Sequence, residues 1–125
     1  MKRYHPLARL YHATRFSLAG IRCAFRQEQS FEHETVVLAV LVAVVLWANV
    51  SWPMAFALVG CWLLVMILEL VNSALERAFD LIDGDYNVRI KEGKDMLSAS
   101  VFLAVLFNVA LWAVCALRWL YLVYT

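Results

Sequence analysis

The sequence predicts an all-α membrane protein in which an amphipathic surface helix precedes three transmembrane helices. Three observations support this fold class. Of the 125 residues, 64% are apolar and 17% are charged, whereas soluble domains are roughly 45–50% apolar. Residues 35–68 contain no Asp, Glu, Lys or Arg, and neither do residues 96–117. A membrane-spanning helix needs about 20 mostly apolar residues. We therefore treat residues 1–125 as one membrane-embedded domain.

The first predicted element is a surface helix over about residues 7–28. Mostly apolar side chains recur there at helical spacing: Leu7, Leu10, Tyr11, Thr14, Leu18, Ile21 and Phe25. Arg15, Arg22 and Arg26 follow one flank of this pattern, which is typical of a helix lying in the membrane interface. The arginines have two interpretations, which are an anchor to anionic headgroups and an additional contact to a phosphorylated ligand.

The three spans follow in order. The first is predicted over about residues 31–50 and the second over about residues 54–80. Between them, the segment 49–53 contains Asn, Ser and Pro, which indicate a break in the helix. The third span is predicted over about residues 96–118, after a polar loop from Asp83 to Asp95. Helices are expected throughout because lipid offers no partner to backbone N–H and C=O groups.

Basic residues predict the orientation. Six of the eleven Lys and Arg residues precede the first span: Lys2, Arg3, Arg9, Arg15, Arg22 and Arg26. Four more follow the apolar part of the second span: Arg77, Arg89, Lys91 and Lys94. The positive-inside rule therefore places the N-terminus and the polar loop in the cytoplasm. The net charge of only +1 argues against a nucleic-acid partner.

Five polar residues interrupt the second span at positions that share one helix face. They are Glu69, Asn72, Ser73, Glu76 and Asp80, at i, i+3, i+4, i+7 and i+11. A charged side chain within a bilayer costs roughly 2.5–3.5 kcal/mol, so such residues usually mark function. Two carboxylates one turn apart, beside an amide and a hydroxyl, suit a hard divalent cation with a general base. The alternative is a buried polar seam whose last two carboxylates are solvated.

Lys94 and Asp95 are predicted to lie directly before the third span. Free backbone N–H groups and the helix dipole favour phosphate at a helix start. The four glycines cannot form a P-loop or a GxGxxG motif, so a standard nucleotide site is excluded. The residues alone therefore favour metal-assisted chemistry on a polyanion.

The block ELVNSALE at 69–76, followed by KDM at 94–96, resembles the prokaryotic diacylglycerol kinase family. The resemblance covers nearly the whole chain and includes Ser17, Gly20, Arg22, Glu28, Phe31, Glu34 and Trp47. It implies an ATP-dependent transfer of the γ-phosphoryl group to the hydroxyl of diacylglycerol, in a homotrimer of the bacterial inner membrane. It also implies Mg²⁺ as the cofactor.

The resemblance also implies roles for individual residues. Glu69 is expected to be the general base, with Asn72 and Lys94 as further catalytic residues, and Glu28 and Glu76 are expected to hold Mg²⁺. The expected ATP contacts are Arg9, Phe16, Glu28, Glu76, Asp85, Tyr86, Asn87, Lys94 and Asp95. The expected lipid contacts are Arg9, Thr14, Ser17, Arg22, Phe25, Phe31, Glu34, Trp47, Glu69 and Ser98.

Some positions depart from the family pattern. Phe16 stands where a Tyr is common, residues 85–87 read Asp-Tyr-Asn in place of Glu-Tyr-His, and residues 32–33 read Glu-His in place of Arg-Gln. An undecaprenol kinase of the same superfamily is the alternative within this class. A small multidrug-type transporter is the alternative from another class, but its carboxylate would lie near the bilayer midplane. A helix-bundle assembly subunit without chemistry would leave the polar stripe unexplained.

Overall fold

The computed structural model describes residues 5–82 and 84–125, and the regular elements in this part of the chain are four α-helices. They are α1 (Pro6–Gln27), α2 (Gln29–Ala48), α3 (Trp52–Ile82) and α4 (Val88–Tyr124). The last three are long and apolar enough to cross a membrane, which confirms the prediction of an all-helical fold with three helices that could span a membrane. Lys2, Arg3 and Asp83, which entered the orientation and loop predictions, lie outside the described residues. The placement of α1 on the membrane surface stays a prediction.

A single residue separates α1 from α2. Glu28 adopts an extended backbone conformation, and its N–H donates to the Ala24 carbonyl at 2.8 Å. Phe25 and Phe31 contact each other edge to face across this junction, with ring centroids 5.2 Å apart. Phe31 is buried together with Ala24 and with Met66 of α3. Aromatic and apolar packing therefore holds the end of α1 against the bundle.

The turn between α2 and α3 occupies the segment in which the sequence predicts a break. Asn49 ends α2 in the left-handed conformation, with φ 49°, which an Asn tolerates better than most residues. The Ser51 carbonyl accepts the first helical hydrogen bond of α3 from the Ala55 N–H at 2.9 Å. Pro53 lies in the first turn of α3, where its missing N–H and its restricted φ are compatible with a helix.

The helix α4 begins at Val88, well before residue 96, where the third span was predicted to start. The Asn87 side chain accepts hydrogen bonds from the N–H groups of Arg89 and Ile90, at 2.9 and 3.4 Å, and so caps the helix. The polar residues that follow stay helical because a helix can extend beyond the membrane. Lys94 and Asp95 therefore lie in the second turn of α4. The prediction that they face free N–H groups at a helix start is wrong.

The central element of the bundle is α3, which packs against both α2 and α4. The buried apolar side chains of the described residues are Ala24, Phe31, Val45, Leu58, Cys61, Val65 and Met66, and the last four belong to α3. Many large apolar side chains on α2 and α4, such as Phe102 and Phe107, are exposed. Apolar surface on this scale must be covered by lipid or by other protein chains.

Close packing joins α3 to α4 near their polar ends. An added Cβ at Gly93 would lie 2.9 Å from the Cζ atom of Phe79. A larger side chain at this position would therefore have to displace the Phe79 ring. Gly93 thus allows α4 to approach α3 directly beside Lys94. This approach determines which part of α3 the lysine reaches.

Candidate active site

Polar side chains gather at one end of the bundle, where α1 meets α2 and where α3 leads into α4. We call this the polar end, and it contains Glu28, Ser30, Glu34, Glu69, Asn72, Glu76, Arg77, Asp80 and Lys94. The polar stripe of α3 contributes its carboxylates and its amide, α2 contributes the Ser30 hydroxyl, and α4 contributes Lys94. Side chains of α2 and α4 therefore contact the polar stripe, while Gln27 of α1 contacts Arg77 of α3.

Glu69 is half-buried and is oriented by α2. The Ser30 hydroxyl donates to Glu69 Oε1 at 3.0 Å. Glu34 lies one turn further along α2, close enough for its carboxylate to interact electrostatically with that of Glu69. Trp62 of α3 donates its Nε1–H to the Glu34 carbonyl at 2.9 Å, which ties α2 to α3 at this level. The first turns of α2 thus fix the position of the expected general base.

Two buried acceptors of the polar end have no donor among the described residues. They are Glu34 Oε2 and Asn72 Oδ1. A buried polar atom without a partner costs about 1–3 kcal/mol, so folded proteins rarely retain one without a purpose. Such acceptors suit a ligand that donates a hydrogen bond or carries positive charge.

Glu28 and Arg77 join the end of α1 to α3. Arg77 Nη2 donates to Glu28 Oε1 and Arg77 Nη1 donates to Gln27 Oε1, both at 2.8 Å. Next to these contacts lies an open cavity of about 480 Å³ between α1 and α3. Its lining combines Ser17, Glu28, Ser73 and Arg77 with small and apolar side chains. The predicted lipid contact Ser17 and the predicted metal ligand Glu28 thus line the same cavity.

Lys94 joins α4 to the end of the polar stripe. Its Nζ donates to Asp80 Oδ1 at 2.7 Å, and it also interacts electrostatically with Glu76. Lys91 and Asp95 form an exposed ion pair one turn apart on α4, with Nζ and Oδ2 at 2.7 Å. The ammonium group of Lys94 thus lies among carboxylates, where an arriving phosphate could replace them.

The predicted metal ligands suit a divalent cation that arrives with phosphate. Within the described ranges, no group of three or more His, Cys, Asp or Glu residues is arranged to hold a metal. Glu28 and Glu76 nevertheless supply hard oxygen donors. Mg²⁺ is usually bound by one or two carboxylates, while waters and substrate phosphates complete its shell. The donor set therefore fits a metal carried by a nucleotide and does not form a closed protein site.

Several predicted residues lie apart from the polar stripe. Arg9 and Phe16 line a shallow surface pocket on the first half of α1. Trp47 packs against Trp119 with ring centroids 5.9 Å apart, and it lies about 25 Å along α2 from Ser30 at 1.5 Å per residue. Asp85 and Tyr86 are exposed in the connection before α4. The other predicted lipid contacts on α1 are Thr14, Arg22 and Phe25, and Ser98 is exposed on α4; all of these roles stay predictions.

Sequence reasoning missed Ser30, Trp62 and the contacts of Arg77. Ser30 had one available signal, which is its position between Glu28 and Glu34 at the entry to the first span. Arg77 follows Glu76 directly, and this position next to the polar stripe was a signal for its contacts at the site. Trp62 has no local signal, because an indole in an apolar span usually packs against lipid or other helices.

The fold and the polar end together define a small multi-pass membrane protein with a charged site at one end of its helices. The sequence profile of the prokaryotic diacylglycerol kinase family matches residues 15–116. The chain is 34% identical over 111 residues to the diacylglycerol kinase of Escherichia coli (strain K12), which covers 89% of each chain. It is 36% identical over 107 residues to that of Pseudomonas aeruginosa, with 86% of this chain and 87% of the relative covered.

The diacylglycerol kinase of Haemophilus influenzae is 33% identical over 106 residues, with 85% of this chain and 90% of the relative covered. The chain belongs to the prokaryotic diacylglycerol kinase family, and it is a membrane-bound lipid kinase. Kinases of this kind use a divalent metal cofactor.

Proposed function

We propose that this protein transfers the γ-phosphoryl group of ATP to the free hydroxyl of 1,2-diacylglycerol, which yields phosphatidic acid and ADP. The relatives named above are diacylglycerol kinases. The observation that carries the proposal is the half-buried Glu69 carboxylate, which Ser30 holds at 3.0 Å within a polar end that also contains cations and hard oxygen donors. This arrangement combines a base with the groups that a phosphoryl transfer requires.

Glu69 acts as the general base in this proposal. The lipid hydroxyl oxygen attacks the γ-phosphorus, the bond to the β-phosphate oxygen breaks, and the hydroxyl proton passes to Glu69. Because Ser30 donates to Oε1, the second carboxylate oxygen is the one that we assign to take the proton. Asn72, one turn further along α3, has a buried amide oxygen without a donor among the described residues, and it orders the substrate groups beside the base.

Glu28, Glu76 and Lys94 bind the nucleotide phosphates. Glu28 and Glu76 would hold Mg²⁺, which would supply positive charge to the phosphates when it is bound. Lys94 exchanges its contact to Asp80 for a phosphate oxygen. Arg9, Phe16 and residues 85–87 contribute the remaining nucleotide contacts, and the cavity between α1 and α3 admits the lipid headgroup.

The proposed setting is the cytoplasmic face of a bacterial inner membrane, with the N-terminus in the cytoplasm. The basic residues before α2 and after the apolar part of α3 support this orientation. We further propose a homotrimer, because the polar end of one chain is open and a single bundle of three thin spans cannot enclose both ATP and a lipid.

Purified protein in mixed micelles, supplied with labelled ATP and Mg²⁺, tests the proposed function. One arm contains diacylglycerol and the other contains undecaprenol. We expect the label to enter diacylglycerol at the higher rate. A preference for undecaprenol would assign the chain to the other lipid, and label in neither lipid would refute the proposal.

A further inference from the structure

Arg77 makes two parallel contacts at the end of α1. Its Nη2 atom donates to Glu28 Oε1 and its Nη1 atom donates to Gln27 Oε1, each at 2.8 Å. The planar guanidinium presents paired donors in a fixed fork, and here the fork bridges two consecutive side chains. The side chain of Arg77 is thus bound in a defined geometry, even though 47% of its surface is exposed.

The carboxylate that Arg77 binds is also the proposed metal ligand. A metal on Glu28 would need a carboxylate oxygen at about 2.0–2.1 Å, and it would bring two positive charges next to the guanidinium. Arg77 engages Glu28 Oε1, so a metal on either oxygen of this carboxylate would lie within a few ångströms of the guanidinium, and the two cations would repel each other. Because Glu28 is 29% exposed, a metal ion can reach the pair from the aqueous side.

We propose that Arg77 competes with the divalent metal for Glu28, and that it thereby keeps the metal affinity of the nucleotide-free protein low. This inference rests on the proposed function, which assigns Glu28 as a metal ligand. When the metal arrives with nucleotide, the phosphate oxygens offer the displaced guanidinium new acceptors, since arginine binds phosphate in the same forked geometry. Arg77 thus couples metal binding to nucleotide binding.

A purely structural role would use the same contacts but would have a different consequence. In that case Arg77 would only tether α1 to α3, and its removal would loosen the junction without favouring the metal. Competition instead predicts that removing Arg77 improves metal binding. The two roles therefore differ in how removal of Arg77 changes the metal affinity, which rises only if Arg77 competes with the metal.

The metal affinity is measured as the binding of Mn²⁺ to the nucleotide-free protein. Electron paramagnetic resonance reports the concentration of free Mn²⁺. We expect Arg77→Gln to bind Mn²⁺ about fivefold more tightly, which is the size expected when a partly exposed ion pair no longer competes. Arg77→Lys should lie between this variant and the parent, because a lysine offers a point charge in place of the fork. Adding Glu28→Gln to Arg77→Gln should abolish the gain.

Arg118→Gln is the matched control, because it removes the same charge near the other end of α4. Its Mn²⁺ affinity should equal that of the parent. Circular dichroism and the Tm report whether each variant is folded. An Arg77→Gln protein that binds Mn²⁺ no more tightly than the parent overturns the proposal.

The unaltered protein provides a second test that does not depend on a variant folding. Phenylglyoxal modifies guanidinium groups that are not engaged in ion pairs, and mass spectrometry reports the rate at each arginine. We expect saturating Mg²⁺ to accelerate modification of Arg77 and to leave Arg118 unchanged. In Glu28→Gln, Arg77 should react rapidly with or without Mg²⁺.

If Mg²⁺ does not change the modification rate of Arg77, the proposal that Arg77 competes with the metal for Glu28 is also overturned. The mixed-micelle assay separates this failure from failure of the proposed function. A parent protein that phosphorylates lipid but shows no Mg²⁺ effect at Arg77 removes only the present inference. A parent protein that phosphorylates neither lipid removes the proposed function.

Discussion

Glu69 is the residue whose removal should affect chemistry most and structure least. In Glu69→Gln the amide has nearly the same volume, and its oxygen can still accept the hydrogen bond from Ser30. It cannot take the lipid proton, so we expect phosphoryl transfer to fall by a factor of about 10²–10⁴. The rate is measured with labelled ATP in mixed micelles, and the Tm should match that of the parent.

Glu92→Gln is the control for this change, because Glu92 is an exposed carboxylate on α4. It should leave both rate and Tm unchanged. A Glu69→Gln protein that kept most of the parental lipid phosphorylation would show that another group accepts the proton.

Ser30 tests whether the orientation of Glu69 matters. Ser30→Ala removes the hydrogen bond of 3.0 Å to Glu69 Oε1 and lets the carboxylate rotate. Since small errors in placement are costly for catalysis, we expect kcat to fall about tenfold or more, with an unchanged KM for ATP. Ser30→Thr keeps the hydroxyl and should restore most of the rate.

Ser100→Ala provides the comparison for Ser30→Ala, because the Ser100 hydroxyl donates to the Leu97 carbonyl of its own helix at 2.7 Å. This variant should behave like the parent. If kcat of Ser30→Ala were equal to that of Ser100→Ala, the hydrogen bond to Glu69 would have no catalytic role.

At the level of elements, the start of α4 determines how Lys94 is presented. Because the helix begins at Val88, Lys94 extends from a formed helical turn toward Asp80 of α3. Gly93 permits the close approach of the two helices at this point. A rigid helix holds a cation more firmly than a loop would, so the proposed phosphate-binding group is already positioned in the absence of nucleotide.

Asn87 is the residue on which this helix start depends. Asn87→Ala removes the acceptor for the N–H groups of Arg89 and Ile90, and we expect a loss of about 1 kcal/mol in the free energy of unfolding. Asn87→Asp keeps the acceptor and adds a favourable charge at the helix N-terminus, so it should be as stable as the parent. Thermal denaturation in detergent measures both.

The KM for ATP of the Asp variant decides whether Asn87 has a second role. A raised KM at unchanged stability would support the predicted nucleotide contact. An Ala variant as stable as the parent would instead contradict the importance of the cap.

The whole molecule exposes too much apolar surface to function as an isolated chain in water. Its buried side chains lie mainly along α3, while α2 and α4 direct large apolar residues outward. Lipid can cover the outer faces, but the polar end remains open in a single chain. The proposed homotrimer would close it with neighbouring subunits.

We expect native mass spectrometry of the protein in detergent to give three times the chain mass of 14.3 kDa. If each site takes Glu69 from one subunit and Glu28 from a neighbour, mixing Glu69→Gln subunits with Glu28→Gln subunits should restore a measurable part of the activity that each variant lacks alone. A monomeric mass would refute the trimer, and a trimer without restored activity would show that Glu69 and Glu28 of one site belong to the same subunit.

The sequence by itself determined the helical membrane architecture and the polar stripe of α3. Both are local properties: lipid requires every backbone group to be paired within a helix, and helical periodicity places Glu69 and Glu76 on one face. The ELVNSALE block, together with KDM at 94–96, also indicated the family. The start of α4 was missed, since hydropathy marks where the membrane ends and says nothing of a helix that continues beyond it.

Only the tertiary structure decided which partners face the stripe. Ser30 contacts Glu69 although the two residues are 39 positions apart in the sequence, and Arg77 contacts Glu28 at a separation of 49 positions. Such pairs depend on the rotation and crossing of whole helices, which the packing of Phe31 against Met66 and of Gly93 against Phe79 sets. The sequence pattern specifies which residues share a face of each helix. Which residues of neighbouring helices contact each other depends on how all the helices pack together.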